Sequence, residues 1–226
     1  MAQLLFDRHS ATTCSDACMR HIRLLRHVKG TEDLIAAIEP FGATLKARKA
    51  DTDVAAENKT AAYDYVVFND AALDDEVRNL SESCKQYDRK NPGRPVYDLL
   101  FPKGISPVIR ITMENEPAEI ENLIKQIEAL GEGHTLAEYI VPLQVAIDNS
   151  KSAISAYLSA ITALKSAEAL QEIAKTNLIR QYELNYYEAL TKFGKVSANR
   201  LFPAISQSPA DNTEDSSAAA TVNTKA

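Results

Sequence analysis

The residues of this chain best suited to chemistry lie near its start: Cys14, Cys18 and His21, with His9 before them and His27 after. On a helix, steps of four and three bring Cys14, Cys18 and His21 onto one face. Two thiolates and an imidazole are donor types that zinc prefers. A structural zinc site takes four ligands and usually tighter Cys-x2-Cys spacing, so this set needs a fourth donor, His9 or Cys84. The competing reading packs small cysteines into a helical core with histidines at its edge. That reading carries more weight, so no metal and no cofactor is expected, and Cys14, Cys18 and His21 stand as minor candidate ligands.

The same stretch carries Arg20, Arg23, Arg26 and Lys29 among Ile22, Leu24, Leu25 and Val28. A basic amphipathic helix of this kind can meet phosphate groups or an anionic surface. These four residues are the candidate anion-binding set. Charge alone specifies little, and the plainer explanation is complementary charge within the protein, since Glu119 to Glu128 is mildly acidic.

Other chemistries lack their residues. The acidic run Asp70, Asp74, Asp75 and Glu76 lies near Arg78 at helical spacing, so ordinary i,i+4 pairing accounts for it. There is no EF-hand loop, no Glu-x-x-His pair for a di-iron bundle, no P-loop or Gly-x-Gly-x-x-Gly, and no Gly-x-Ser-x-Gly. The chain reads as a non-enzyme with no catalytic residues.

Composition narrows the field further. Lys and Arg number 25 against 31 Asp and Glu, a net charge of −6, which argues against wholesale nucleic-acid binding. Three cysteines are too few and odd in number for a disulfide scaffold. MAQLLFDRHS has no basic start followed by an apolar run, as a signal peptide would. No stretch approaches the roughly 20 apolar residues of a membrane span. The expected location is the cytoplasm.

The elements that must position these residues are helices, because Ala, Leu, Ile, Glu and Lys dominate and glycine is scarce. The chain also matches itself at an offset of about one hundred residues. Tyr97-Asp98-Leu99-Leu100-Phe101-Pro102 is echoed by Asn199-Arg200-Leu201-Phe202-Pro203, Val77-Arg78 by Ile179-Arg180, and Leu34, Ile38 and Pro40 by Leu136, Ile140 and Pro142. Gly30 pairs with Gly131, and Asn91-Pro92-Gly93 with Phe193-Gly194. A longer offset aligns Asn58 with Asn177 and Tyr63 with Tyr182 but misses this punctuation.

Each copy reads as four parts. A short extended lead comes first, Leu4–Phe6 in one and Pro107–Thr112 in the other, the second alternating like a strand. A helix of moderate length follows, around Ser15 to Lys29 and Pro117 to Leu130, with Ser15 and Pro117 as start signals and the two glycines as stops. The third part is long, with neither glycine nor proline between Gly42 and Pro92 or between Pro142 and Gly194. Ala47, Ala50, Val54, Ala61, Tyr65, Phe68, Ala72, Val77, Leu80, Cys84 and Tyr87 step mostly by threes and fours. Ile147, Ile154, Leu158, Ile161, Leu164, Leu170, Ile173, Leu178, Tyr182, Tyr186 and Leu190 do likewise. Each series reads as the buried stripe of one helix on the order of 75 Å long. Hairpins turning near Ala50–Asp53 and Asp148–Ser150 are the less favoured alternative. Leu-Phe-Pro closes each copy, with Leu100, Phe101, Leu201 and Phe202 as candidate anchors that fold back or dock a partner.

The expectation is therefore an all-α protein: a tandem-duplicated helical unit forming an antiparallel long-helix bundle with pseudo-twofold symmetry, with room for one short β pairing between the leads. Repeat 1 covers 1–102, repeat 2 covers 103–206 packed with it, and 207–226 is a disordered tail. Long heptad-like rods of this kind suit a structural or interaction protein that binds a protein partner or itself.

Overall fold

The computed structural model describes residues 4–110, 115–131 and 133–205. Those residues form helices and turns, and no strand occurs among them. The first helix, α1 (Ala11–Leu25), starts where the Ser10 hydroxyl accepts a hydrogen bond from the Thr13 amide at 3.1 Å. This is a standard N-cap that satisfies one otherwise orphaned donor. Ser10, not Ser15, is the cap, because the backbone turns extended there. The helix also stops earlier than Lys29. The buried Thr31 hydroxyl sits 2.7 Å from the carbonyls of both Leu25 and Val28, covering the helix end before Gly30 turns the chain at φ +83°.

α2 (Glu32–Lys90) then runs without interruption for 59 residues, with Glu32 and Asp33 complementing its N-terminal dipole. It begins ahead of Pro40 and Gly42 and passes through both, so it extends N-terminally beyond the stretch free of glycine and proline that starts after Gly42. Proline removes one intrahelical hydrogen bond, but tertiary packing on both sides keeps the helix intact. Gly42 serves a close crossing: a Cβ there would lie 2.8 Å from Cys18 Sγ of α1.

Beyond α2, the Asp88 carboxylate accepts from the amides of Val96 and Tyr97 at 2.7 and 3.0 Å and so starts the single turn α3 (Tyr97–Leu100). α4 (Glu116–Glu128) carries Pro117 in its first turn, and a 3₁₀ turn, Thr135–Tyr139, leads into α5 (Ile140–Leu201). α5 has one break, at Gly194, whose φ of 71° and ψ of 167° is a region only glycine enters readily. Neither long helix folds back at Ala50–Asp53 or at Asp148–Ser150.

The lead segments form no β pairing among the described residues. Leu4–Phe6 is irregular, and the amides of Val108 and Ile109 bond back to the Ile105 carbonyl in a local turn. Those amides are therefore not available to a ladder. Ile111 and Thr112, and the tail from 207 onward, lie outside the described residues.

The chain divides into two compact units: unit 1 is Met1–Val54 with Lys165–Ala226, and unit 2 is Ala55–Leu164. Each long helix thus contributes one part to each. In unit 1, Cys14, Cys18, Ile22 and Leu25 of α1 pack with Leu34, Ile38 and Leu45 of α2 and with Leu178, Tyr182, Leu201 and Phe202 near the chain's end. In unit 2, Leu73, Val77, Leu80 and Cys84 of α2 pack with Leu100 and Phe101, with Ile120, Leu123 and Ile127 of α4, and with Leu143 and Ile147 of α5. A smaller cluster there joins Val66 to Ala153 and Ile154.

The expected buried stripe of α2 holds only in its C-terminal part. Val77, Leu80 and Cys84 are buried as expected, but Ala47, Ala50, Val54, Ala61, Tyr65, Phe68 and Ala72 are exposed, and Leu45, Val66 and Leu73 are buried in their place. In unit 2, Val66 and Leu73 lie roughly 110° around the helix from the exposed series, at about 100° per residue. On α5, Ile147, Ile154, Leu178 and Tyr182 are buried as expected, but Leu158, Leu170 and Ile173 are exposed. Where one helix meets only one other, it can hide a single narrow face.

Candidate interaction surface

The Cys/His cluster is built into the core of unit 1. His21 is fully buried, and its Nδ1 lies 2.8 Å from the Leu201 carbonyl, so Nδ1 carries the proton and donates. Its Nε2 is then the acceptor, and the Asn185 amide nitrogen approaches it at 3.4 Å while donating to the Leu34 carbonyl at 2.9 Å. The ring packs against Phe202 with centroids 4.1 Å apart and edge-on against Tyr182. Burial pulls the His21 pKa down to about 4, opposed in part by the Leu201 hydrogen bond, so the ring is neutral at pH 7. His21 is thus a hydrogen-bonded clasp between α1 and the end of α5.

The cysteines are equally enclosed. Cys14, Cys18 and Cys84 are free thiols with no solvent exposure. Burial, then the nearby Glu39 charge, pushes the Cys18 thiol up to about 12, and burial with Asp88 does the same for Cys84. A thiol held protonated is a poor nucleophile. Among the described residues no group of three or more His, Cys, Asp or Glu side chains is placed to hold a metal ion. Both ring nitrogens of His21 are engaged with protein groups.

The cationic residues of α1 and of the turn that follows it point outward. Arg20, Arg23, Arg26, His27 and Lys29 are all exposed. Arg26 pairs with Glu39 at 3.3 Å, and the Arg20 guanidinium reaches the Ala204 carbonyl at 3.4 Å. Arg23 and Lys29 make no ion pair among the described residues. Arg20 also borders a cavity of about 690 Å³ at the start of α1, lined by cations (Arg8, Lys49, Lys175) and acids (Asp16, Asp53, Glu172) together. Two of those cations are already matched, Lys49 by Asp53 at 3.0 Å and Lys175 by Glu172 at 2.7 Å.

The proposed anchors fold back. Leu201 and Phe202 are buried in unit 1, where Phe202 meets His21, Tyr182 and Tyr186. Leu100 and Phe101 are buried in unit 2. All four are core residues rather than docking surface, because the proline after each pair turns the chain and the bulky side chains close over the helix ends.

What lies open to solvent is a different set. On α2 in unit 2, Ala61, Tyr65, Phe68 and Ala72 follow one another by four, three and four residues and are exposed, Phe68 by 69%. Such spacing makes one continuous seam along a helix, the kind that ordinarily packs against another helix. Sequence periodicity found these residues but assigned them to the interior. Nearby, at the start of α4, Glu116 is buried with one carboxylate oxygen unpartnered. Burial, then hydrogen bonding to Asp70 and the charges of Asp70 and Asp74, pushes its pKa up to about 9, so it keeps its proton at pH 7.

No protein-family model, curated protein or solved structure matches the chain. No helix of the described residues is long and apolar enough to cross a membrane.

Proposed function

We propose that this protein is a non-enzymatic interaction protein, a scaffold-like pair of helical units that recruits a protein partner through an exposed helix face. The observation that carries the reading is the uncovered seam Ala61, Tyr65, Phe68 and Ala72. Single exposed apolar residues are common, but a contiguous apolar seam on a helix marks a contact site. The engaged state of His21 and the enclosed, protonated thiols of Cys18 and Cys84 also favour a non-catalytic role.

The reading extends to origin. We infer a tandem duplication with 1–102 and 103–206 as the copies. Unit 1 takes the short helix of the first copy and the Leu-Phe-Pro end of the second, and unit 2 takes the reverse. That reciprocal make-up is what two copies related by a pseudo-twofold would produce.

The test compares wild type with Tyr65→Ser/Phe68→Ser in the source cell, by affinity isolation with quantitative mass spectrometry. The expected outcome is one or a few partners depleted at least tenfold by the double substitution, with helix content and Tm unchanged. Identical partner profiles would refute the reading.

A second reading rests on Arg23 and Lys29, which make no ion pair among the described residues, and on Arg20 at the cavity: anionic-ligand binding by α1 and the turn after it. It predicts salt-sensitive binding of a short single-stranded oligonucleotide or of inorganic phosphate, abolished by Arg20→Glu/Arg23→Glu. Salt-independent binding, or none, removes it.

A further inference from the structure

The charges beside the seam identify the chemistry of what covers it. Along one edge of Ala61, Tyr65, Phe68 and Ala72, roughly 60° around the helix, lie Glu57, Asp64 and Asp75, and Glu76 lies on the other edge. No lysine or arginine occupies either edge between 57 and 76: Lys59 falls on the side that faces the core, being half-buried. Asp75 is matched by Arg78 at 2.9 Å, but Glu57, Asp64 and Glu76 make no ion pair among the described residues. The acidity is also general to the unit. Its described residues carry 15 Asp and Glu against 10 Lys and Arg, while those of unit 1 carry 11 against 14.

In helix–helix recognition the apolar seam supplies affinity and the flanking charges select the partner. We propose that the seam of α2 in unit 2 docks an amphipathic helix of another protein whose apolar stripe is flanked by lysine and arginine. This rests on the interaction reading above and names its partner class.

Other occupants conflict with the same residues. A second copy pairing seam to seam would set acidic edge against acidic edge, and like charges at such positions oppose association. The chain's own cationic helix is not a substitute, because the apolar side of α1, through Cys14, Cys18, Ile22 and Leu25, is already buried. An anionic membrane or a nucleic acid would meet the wrong sign of charge.

The test uses the full chain and two labelled synthetic helical peptides of about 20 residues, long enough to span the seam at about 1.5 Å per residue. They share one leucine seam; one has lysine flanks and the other glutamate flanks. Binding is followed by fluorescence anisotropy at low and at moderate salt. The expected result is that the lysine peptide binds at least tenfold tighter than the glutamate peptide, and that Tyr65→Ser/Phe68→Ser weakens it at least tenfold. Glu57→Lys/Asp64→Lys/Glu76→Lys should reverse the preference. All substitutions are at exposed or half-exposed positions, and circular dichroism verifies the fold.

Failure of the lysine peptide to bind, or binding that ignores Phe68, overturns the inference. If both peptides bind equally and through Phe68, or if sedimentation reveals a dimer that Phe68→Ser dissolves, the surface is an interaction site but its partner is not a cationic helix. If Phe68 matters in none of these measurements nor in the cell, the interaction reading falls as well.

Discussion

At the scale of the residue, His21 shows how burial converts a potential ligand into a structural part. Its ring is neutral, donates to Leu201 and faces Asn185, and its pKa of about 4 lies below the ordinary 6.5. Between those values the unfolded chain binds a proton that the folded chain excludes. The stability contributed by neutral His21 is therefore complete above about pH 6.5 and is lost as pH falls toward 4, a difference of about 3 kcal/mol at most. The expected outcome for His21→Leu is a lower Tm than wild type at pH 7 and a gap that narrows steadily at pH 5.5 and 4.5. A gap that stays constant or widens on acidification would contradict the assignment. Spacing alone did place Cys14, Cys18 and His21 on one helix face, as the structure does. It could not reveal that the face points inward, since inward and outward helical stripes share one period.

At the scale of the element, two glycines that look alike in the sequence act in opposite ways. Gly194 breaks α5 with a conformation closed to other residues, so Gly194→Ala is expected to cost about 1–3 kcal/mol in chemical denaturation. Gly42 sits in regular helix against Cys18 Sγ. There Gly42→Ala is expected to destabilise by about 1–3 kcal/mol from overpacking, set against about 1 kcal/mol of gained helix propensity. In a Cys18→Ala background the steric penalty disappears, and Gly42→Ala should become stabilising. Lack of that sign reversal in a double-mutant cycle would contradict a close crossing of α1 and α2 at Gly42. The break at Phe193-Gly194 was legible in the residues, and so were long helices without internal turns. The passage of α2 through Pro40 and Gly42 was not, because it depends on the packing of Leu34, Ile38 and Leu45 against residues distant in sequence.

At the scale of the whole molecule, two separate cores hold the chain, each closed by a Leu-Phe pair. Phe202 packs with His21, Tyr182 and Tyr186 in unit 1, and Phe101 with Tyr97 in unit 2. Truncating either to alanine should cost about 3–5 kcal/mol locally. In hydrogen exchange read by mass spectrometry, Phe202→Ala is expected to lower protection chiefly in α1 and the C-terminal part of α5. Phe101→Ala should act chiefly on α3, α4 and the C-terminal part of α2. Equal loss everywhere in both variants would contradict a division into two cores. Helical content, the two long helices and the breakers follow from residue type and spacing, because propensity and periodicity are local properties of the chain. Which of two apolar stripes on α2 is covered depends on which helices lie beside it. Residues distant in sequence supply those neighbours, so only the tertiary structure decided that Val66 and Leu73 are core and Phe68 is surface.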